Sequence, residues 1–165
     1  MLYLILIRNF IYISLFILTQ ASWSNVGYTA PSITILGTTY IGVESEDTTT
    51  HSFLGIPYAS PPIGELRWKP PSPPETSSAT RQAKDFAPAC AQSQHIIEWY
   101  KGVIIKFGGD PDNFKAPKFS EDCLYLNIWR PANTSQGNTL PVVVYIHGGS
   151  NKGGWSYEPN YRGNE

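Results

Sequence analysis

The stretch L-P-V-V-V-Y-I-H-G-G, Leu140 to Gly149, decides how this chain is read. Val142, Val143, Val144, Tyr145 and Ile146 run without polar alternation, as expected of a central strand packed on both faces of a parallel sheet. The predicted strand, Leu140–Ile146, ends abruptly in His147-Gly148-Gly149. Glycine carries no Cβ, so the chain can turn sharply there and aim successive backbone N–H groups at one point. Donors of that kind stabilise the oxyanion that develops in acyl transfer, each worth about 10²–10³ in rate. Taken alone, the same residues fit a tight strand-to-loop turn without chemistry better than an oxyanion hole.

Working outward, the composition removes several classes of function. The 165 residues carry 12 Lys+Arg against 13 Asp+Glu, a net charge of −1. No long-range field gathers nucleic acid or an acidic membrane, so neither is an expected partner. An apolar content of 41% with five Trp excludes a disordered acidic chain. The 14 Gly and 14 Pro show no collagen period but are clustered. Pro57, Pro61, Pro62, Pro70, Pro71, Pro73 and Pro74 fall in one stretch, and Gly148, Gly149, Gly153 and Gly154 in another. No repeat, heptad, CxxC pair or phosphate loop is present. His51, His95 and His147 have no metal-ligand spacing, so no metal site is expected.

Residues 2–7 are apolar, Arg8-Asn9 follow, and the apolar run Phe10–Leu18 is about half the roughly 20 residues a membrane span needs. With small residues at Thr19, Ala21 and Ser22, residues 1–21 read as a secretory signal peptide. An uncleaved anchor helix would place Arg8 mid-span at a cost of roughly 2.5–3.5 kcal/mol. The membrane is therefore met only through this segment, and the expected destination is extracellular. Asn133-Thr134-Ser135 is an N-glycosylation sequon in a polar stretch that should be surface loop. Cys90 and Cys123 are the only cysteines, an even count that an oxidising compartment would pair and a reducing one would leave as thiols.

In the mature chain, residues 22–165, Val26–Gly37 and Thr38–Val43 read as a hairpin or meander, with Glu44–Asp47 as a solvated turn. From Gly55 to Pro74 the prolines remove donors, so neither helix nor interior strand is expected there. Ile96–Ile105 reads as a short helix stopped by Gly108-Gly109, and Asp110–Asn113 as a turn lacking the Gly and Glu of a calcium loop. Cys123–Trp129 alternates and reads as a strand.

Three segments in register carry more than any of these. They are G-I-P-Y-A-S-P-P-I-G-E-L-R-W (Gly55–Trp68), S-E-D-C-L-Y-L-N-I-W (Ser120–Trp129) and the Leu140–Gly149 stretch. Together with P-A-C-A-Q (Pro88–Gln92) they closely resemble the N-terminal part of type-B carboxylesterases, relatives of fungal lipases, cholinesterases and neuroligins. The resemblance implies an α/β fold: the N-terminal portion of an α/β-hydrolase, a mixed central sheet with antiparallel N-terminal strands, incomplete as a domain. It implies that Cys90 and Cys123 close a disulfide loop over the active-site gorge. Arg67 and Glu121 match a structural ion pair, and Gly149 and Ser150 match the oxyanion-hole amides. The implied substrate is a small-molecule carboxylic ester, hydrolysed without a cofactor.

The chain departs from that pattern in informative places. Ser150 stands where the common HGGG form has its last glycine, which a backbone donor tolerates if the local φ suits a residue with Cβ. Gly153-Gly154 are expected to keep the following loop flexible. Asn151 and Lys152 replace the usual aromatic, and no Trp occurs where cholinesterases bind cations, which argues against a choline ester. Gly148–Lys152 mimics a G-x-S-x-G elbow but lacks its second glycine, so Ser150 is not the expected nucleophile. In this fold Ser, acid and His follow the oxyanion strand, so the triad is expected beyond Glu165 and no catalytic residue within the chain. The 165 residues are expected to be inactive alone. A non-catalytic adhesion protein of neuroligin type and a degenerate truncated product are the alternatives.

Overall fold

A computed structural model describes residues 29–134, 137, 139–158, 161 and 163. The signal segment, residues 1–21, lies outside the described residues. Strands β1 (Ser32–Ile35) and β2 (Thr38–Ile41) form the expected hairpin, with Ile35 opposite Thr38. Leu36 and Gly37 close it at φ 48° and 83°, both left-handed, which makes a two-residue turn whose twist matches that of the strands. β5 (Thr80–Gln82) pairs parallel to β2.

A second sheet is antiparallel, in the order β3 (Val43–Glu44), β4 (Thr50–Pro57), β8 (Tyr125–Pro131). Within its β4–β8 ladder the register shifts between Phe53 and Ile56. Gly55 turns the chain there at φ 68°, where an added Cβ would sit 2.9 Å from the Asp85 carbonyl oxygen. The amide of Gly55 is met by the Asn127 side chain (3.0 Å) in place of a ladder acceptor. No interior strand was expected in Gly55–Pro74, yet the end of β4 enters the stretch. β4 runs on to Pro57, opposite Tyr125. Proline is tolerated because β3 faces only His51 and Ser52, leaving that edge of β4 free at Pro57. A single 3-10 turn, Gly64–Leu66, also occupies the proline-rich stretch.

The third unit lies between the cysteines. Helix α1 (His95–Lys106) ends as the glycines predict: Gly108 is left-handed at φ 76°, and the Gly108 and Gly109 amides donate back to Ile105 and Ile104. Asp110 caps the next turn by accepting from the Asp112 amide, 2.9 Å. β6 (Ala89–Cys90) and β7 (Phe119–Ser120) pair parallel over two residues. Two cores result. Tyr40, Phe53, Ile56 and Ala83 fill the space between the first two sheets. Ala89, Ile97 and Trp155 pack beneath α1, bringing the glycine-rich segment against the disulfide loop.

One expectation fails outright. Leu140–Ile146 is not a strand: among the described residues none pairs with it. Val142, Val143, Val144 and Ile146 are 85%, 90%, 80% and 84% exposed. A run apolar on both faces is stable as a strand only when neighbours on both edges take up its backbone donors and acceptors. Those neighbours are not among the described residues.

Candidate functional site

The segment after the valine run folds back on itself. Gly149 adopts φ 118°, Ser150 and Asn151 each 55°, and Gly154 110°. The Lys152 amide donates to the Gly149 carbonyl over 2.9 Å, so Ser150 and Asn151 are the two central residues of a left-handed turn. The packing explains the glycines. A Cβ on Gly149 would lie 1.8 Å from the Gly153 carbonyl oxygen, and one on Gly154 would lie 2.8 Å from both the Gly148 oxygen and His147 Nδ1. Gly153-Gly154 are therefore not a source of flexibility, as expected from sequence, but half of a backbone-to-backbone contact that no side chain could enter.

Ser150 supplies a side chain where the φ favours glycine. For an L-residue with a Cβ the left-handed region costs roughly 1–2 kcal/mol, against a smaller entropic gain in the unfolded chain. Replacing Ser150 by Gly is expected to raise stability by up to about 1 kcal/mol, and replacing it by Val to lower it by about 1–2 kcal/mol. Denaturant midpoints of the two variants check this; a Val variant as stable as the Gly variant contradicts the left-handed turn.

Neither the Gly149 nor the Ser150 amide donates to an acceptor among the described residues. Their neighbours His147 and Asn151 line a cavity of about 640 Å³, together with Tyr58, Gln92, Tyr125 and Asn127. The Cys90–Cys123 disulfide, with Cα atoms 4.9 Å apart, forms part of its wall. Tyr125 donates its hydroxyl to Asp122 Oδ1 (2.8 Å). Burial first, then the hydrogen bond and charge of Asp122, push its phenol up to about 12. Burial, reinforced by Glu158, drives Tyr100 well above the usual phenol value. Both phenols are therefore neutral over the physiological range.

Three polar ties that the sequence did not reveal hold the segment in place. The Gln92 amide grips Gly154 from both sides: its Oε1 accepts from Gly154 N (2.7 Å), and its Nε2 donates to Gly154 O (3.0 Å). Asn127 joins the Gly55 bulge to Ser156, donating to its Oγ over 3.1 Å. Glu158, 4% exposed, accepts from the Tyr100 hydroxyl and from the Trp155 amide. Only Gln92, two residues past a cysteine, left a trace in the sequence; Asn127 reads as an ordinary member of an alternating strand.

The remaining predicted residues are placed as follows. Arg67 Nη2 lies 2.6 Å from Glu121 Oε1, tying the proline-rich segment to the disulfide loop. Both side chains are about half exposed, so the pair contributes at most about 1 kcal/mol. Asn133 is exposed in the turn after β8, where the Thr134 hydroxyl donates to the Pro131 carbonyl (2.7 Å). Among the described residues no three His, Cys, Asp or Glu side chains gather to hold a metal, and no helix is long and apolar enough to cross a membrane.

Comparison with known proteins gives one consistent answer. The model of the carboxylesterase family matches residues 30–165. Fumonisin B1 esterase of Sphingopyxis macrogoltabida is 40% identical over 121 residues, 73% of this chain and 20% of that protein. The cocaine esterase of Oryctolagus cuniculus is 42% identical over 111 residues, 66% of this chain and 19% of that protein. Among solved structures, a thermophilic PNB esterase superposes with a TM-score of 0.67 at 34% identity, over 82% of this chain and 25% of that one. The chain thus spans about a fifth to a quarter of the proteins it matches.

Proposed function

The chain belongs to the carboxylesterase family, and from that premise we propose that it forms the opening portion of a secreted serine carboxylic-ester hydrolase. In this reading it supplies the oxyanion donors, while Ser, acid and His come from polypeptide outside these 165 residues. The observation that carries the reading is the left-handed turn that leaves the Gly149 and Ser150 amides without acceptors among the described residues, between His147 and Asn151, which line a cavity of about 640 Å³. Ser150 is exposed and Gly149 half-buried, so water meets these donors in the free chain and a ligand oxygen can replace it. The developing negative charge of a tetrahedral intermediate is the strongest acceptor such a site could be offered.

The reaction then runs as acyl transfer. The serine oxygen bonds to the ester carbonyl carbon while His takes its proton, and charge accumulates on the carbonyl oxygen facing Gly149 and Ser150. Collapse expels the alcohol with that proton, and water repeats the sequence to release the acid and free serine. No cofactor enters the balance. The relatives' names, fumonisin B1 esterase and cocaine esterase, support ester substrates for this chain's complete form. A signal at residues 1–21, the disulfide and an exposed Asn133 support export and glycosylation there.

The test is a graft in which residues 30–165 replace the matching opening quarter of the thermophilic PNB esterase. The graft is expected to hydrolyse a short-chain aryl ester and to lose that activity to a serine-directed phosphonate. A graft that folds and closes its disulfide yet cleaves nothing overturns the proposal. Phosphonate-sensitive turnover by the 165-residue chain alone overturns the placement of the nucleophile outside it.

A further inference from the structure

We propose that Gln92 is a positioning residue that sets the direction of the Gly149 and Ser150 amides without touching the substrate. The inference rests on the reading of those amides as oxyanion donors. Every polar atom of the Gln92 side chain is used. Oε1 accepts from Gly154 N, and Nε2 donates to both Gly154 O and Cys90 O, each at 3.0 Å. The clamp spans 62 residues of sequence and joins the disulfide loop to the glycine-rich turn.

From Gly154 the constraint passes by contact. A Cβ on Gly153 would meet Gln92 Oε1 at 2.6 Å, so the amide also abuts the preceding residue. Gly153 in turn presses its carbonyl against Gly149, and Gly154 backs onto Gly148 O and the His147 ring. Gln92 therefore holds one side of a backbone sandwich whose other side carries the proposed donors. Loop geometry set this way is sensitive, because misplacement by about 1 Å can cost 10²-fold in rate.

The residue type follows from the geometry. Asn would fall one methylene short. Glu keeps the acceptor for Gly154 N but, when ionised, points its second oxygen at two carbonyl oxygens. Protonation restores one donor. A Gln92→Glu chain should thus recover the wild-type arrangement as pH falls through the carboxylate range.

The experiment uses the isotope-labelled 165-residue chain and, separately, the graft described above. In the chain, Gln92→Ala is expected to lower exchange protection of the Gly154 amide by at least about tenfold and to move the Gly149 and Ser150 amide resonances. The β4–β8 ladder and the disulfide stay intact. In the graft the same change should lower kcat about tenfold with KM shifted less than about twofold, and the kcat of Gln92→Glu relative to the Gln92 graft at the same pH should rise toward low pH, protonation of the catalytic His being common to both. Gly149 and Ser150 resonances that stay put when Gly154 protection is lost overturn the inference, as does an unchanged kcat. If the graft carrying Gln92 is inactive, the functional reading fails instead, while the resonances still decide the positioning.

Discussion

Gly149→Ala in the esterase graft is expected to lower kcat by about 10²–10³-fold, the loss typical of a missing oxyanion donor. The neighbouring Gly148→Ala should change it by less than about threefold, because none of the described residues comes within 4 Å of a Cβ there. At Gly149 the new methyl would meet the Gly153 carbonyl oxygen at 1.8 Å, backbone against backbone, where no rotamer change can relieve the overlap. Its φ of 118° adds strain for any residue with a Cβ. The turn must open, and in opening it redirects the Gly149 and Ser150 amides. Stability should fall by about 2–4 kcal/mol as well, so both variants are measured after confirming disulfide closure and native circular dichroism. Equal activity in the two variants would show that the contact between Gly149 and Gly153 does not govern the donors.

Removing the Cys90–Cys123 bridge by paired serine substitution is expected to cost about 3–4 kcal/mol, with a fall in Tm of about 6–16 °C. The cysteines are 33 residues apart in sequence. Without the bond, closure of that loop rests on the two-residue β6–β7 ladder and the packing under α1. The loss arises chiefly because the unfolded chain regains the freedom the cross-link denied it. Thermal unfolding of the oxidised chain beside its serine variant measures it, and a difference below about 1 kcal/mol would mean the loop is held by its core alone. Gln92, bonded to the Cys90 carbonyl, should loosen with it.

What could be read from sequence was local. Leu36-Gly37, Gly108-Gly109 and Asp110 each announced their turns, because left-handed backbone and side-chain caps are chosen by one or two residues. The alternation of β8 likewise announced a strand facing two environments. Expectations failed where the outcome depends on distant neighbours. Val142–Ile146 has strand composition but no strand beside it among the described residues. Pro57 enters a strand because its partner strand approaches from the other side. Of the candidate site, the glycines, both cysteines and the Arg67–Glu121 contact were legible through motif resemblance. The grip of Gln92 on Gly154 and the Tyr100–Glu158 contact join residues 62 and 58 positions apart, and no periodicity encodes such distances.

The Asn127 carboxamide links two separate segments. Its amide oxygen occupies the kink in β4 while its nitrogen donates to Ser156, which lines the cavity beside it. A substitution that reshapes this cavity at Asn127 thus edits two places at once. A proline at position 55 or an apolar residue at position 156 strands half of the same carboxamide, so substitutions at the two positions will not combine as independent increments. A library that varies positions 55, 127 and 156 jointly samples shapes that stepwise screening, one position after another, would discard at its first round.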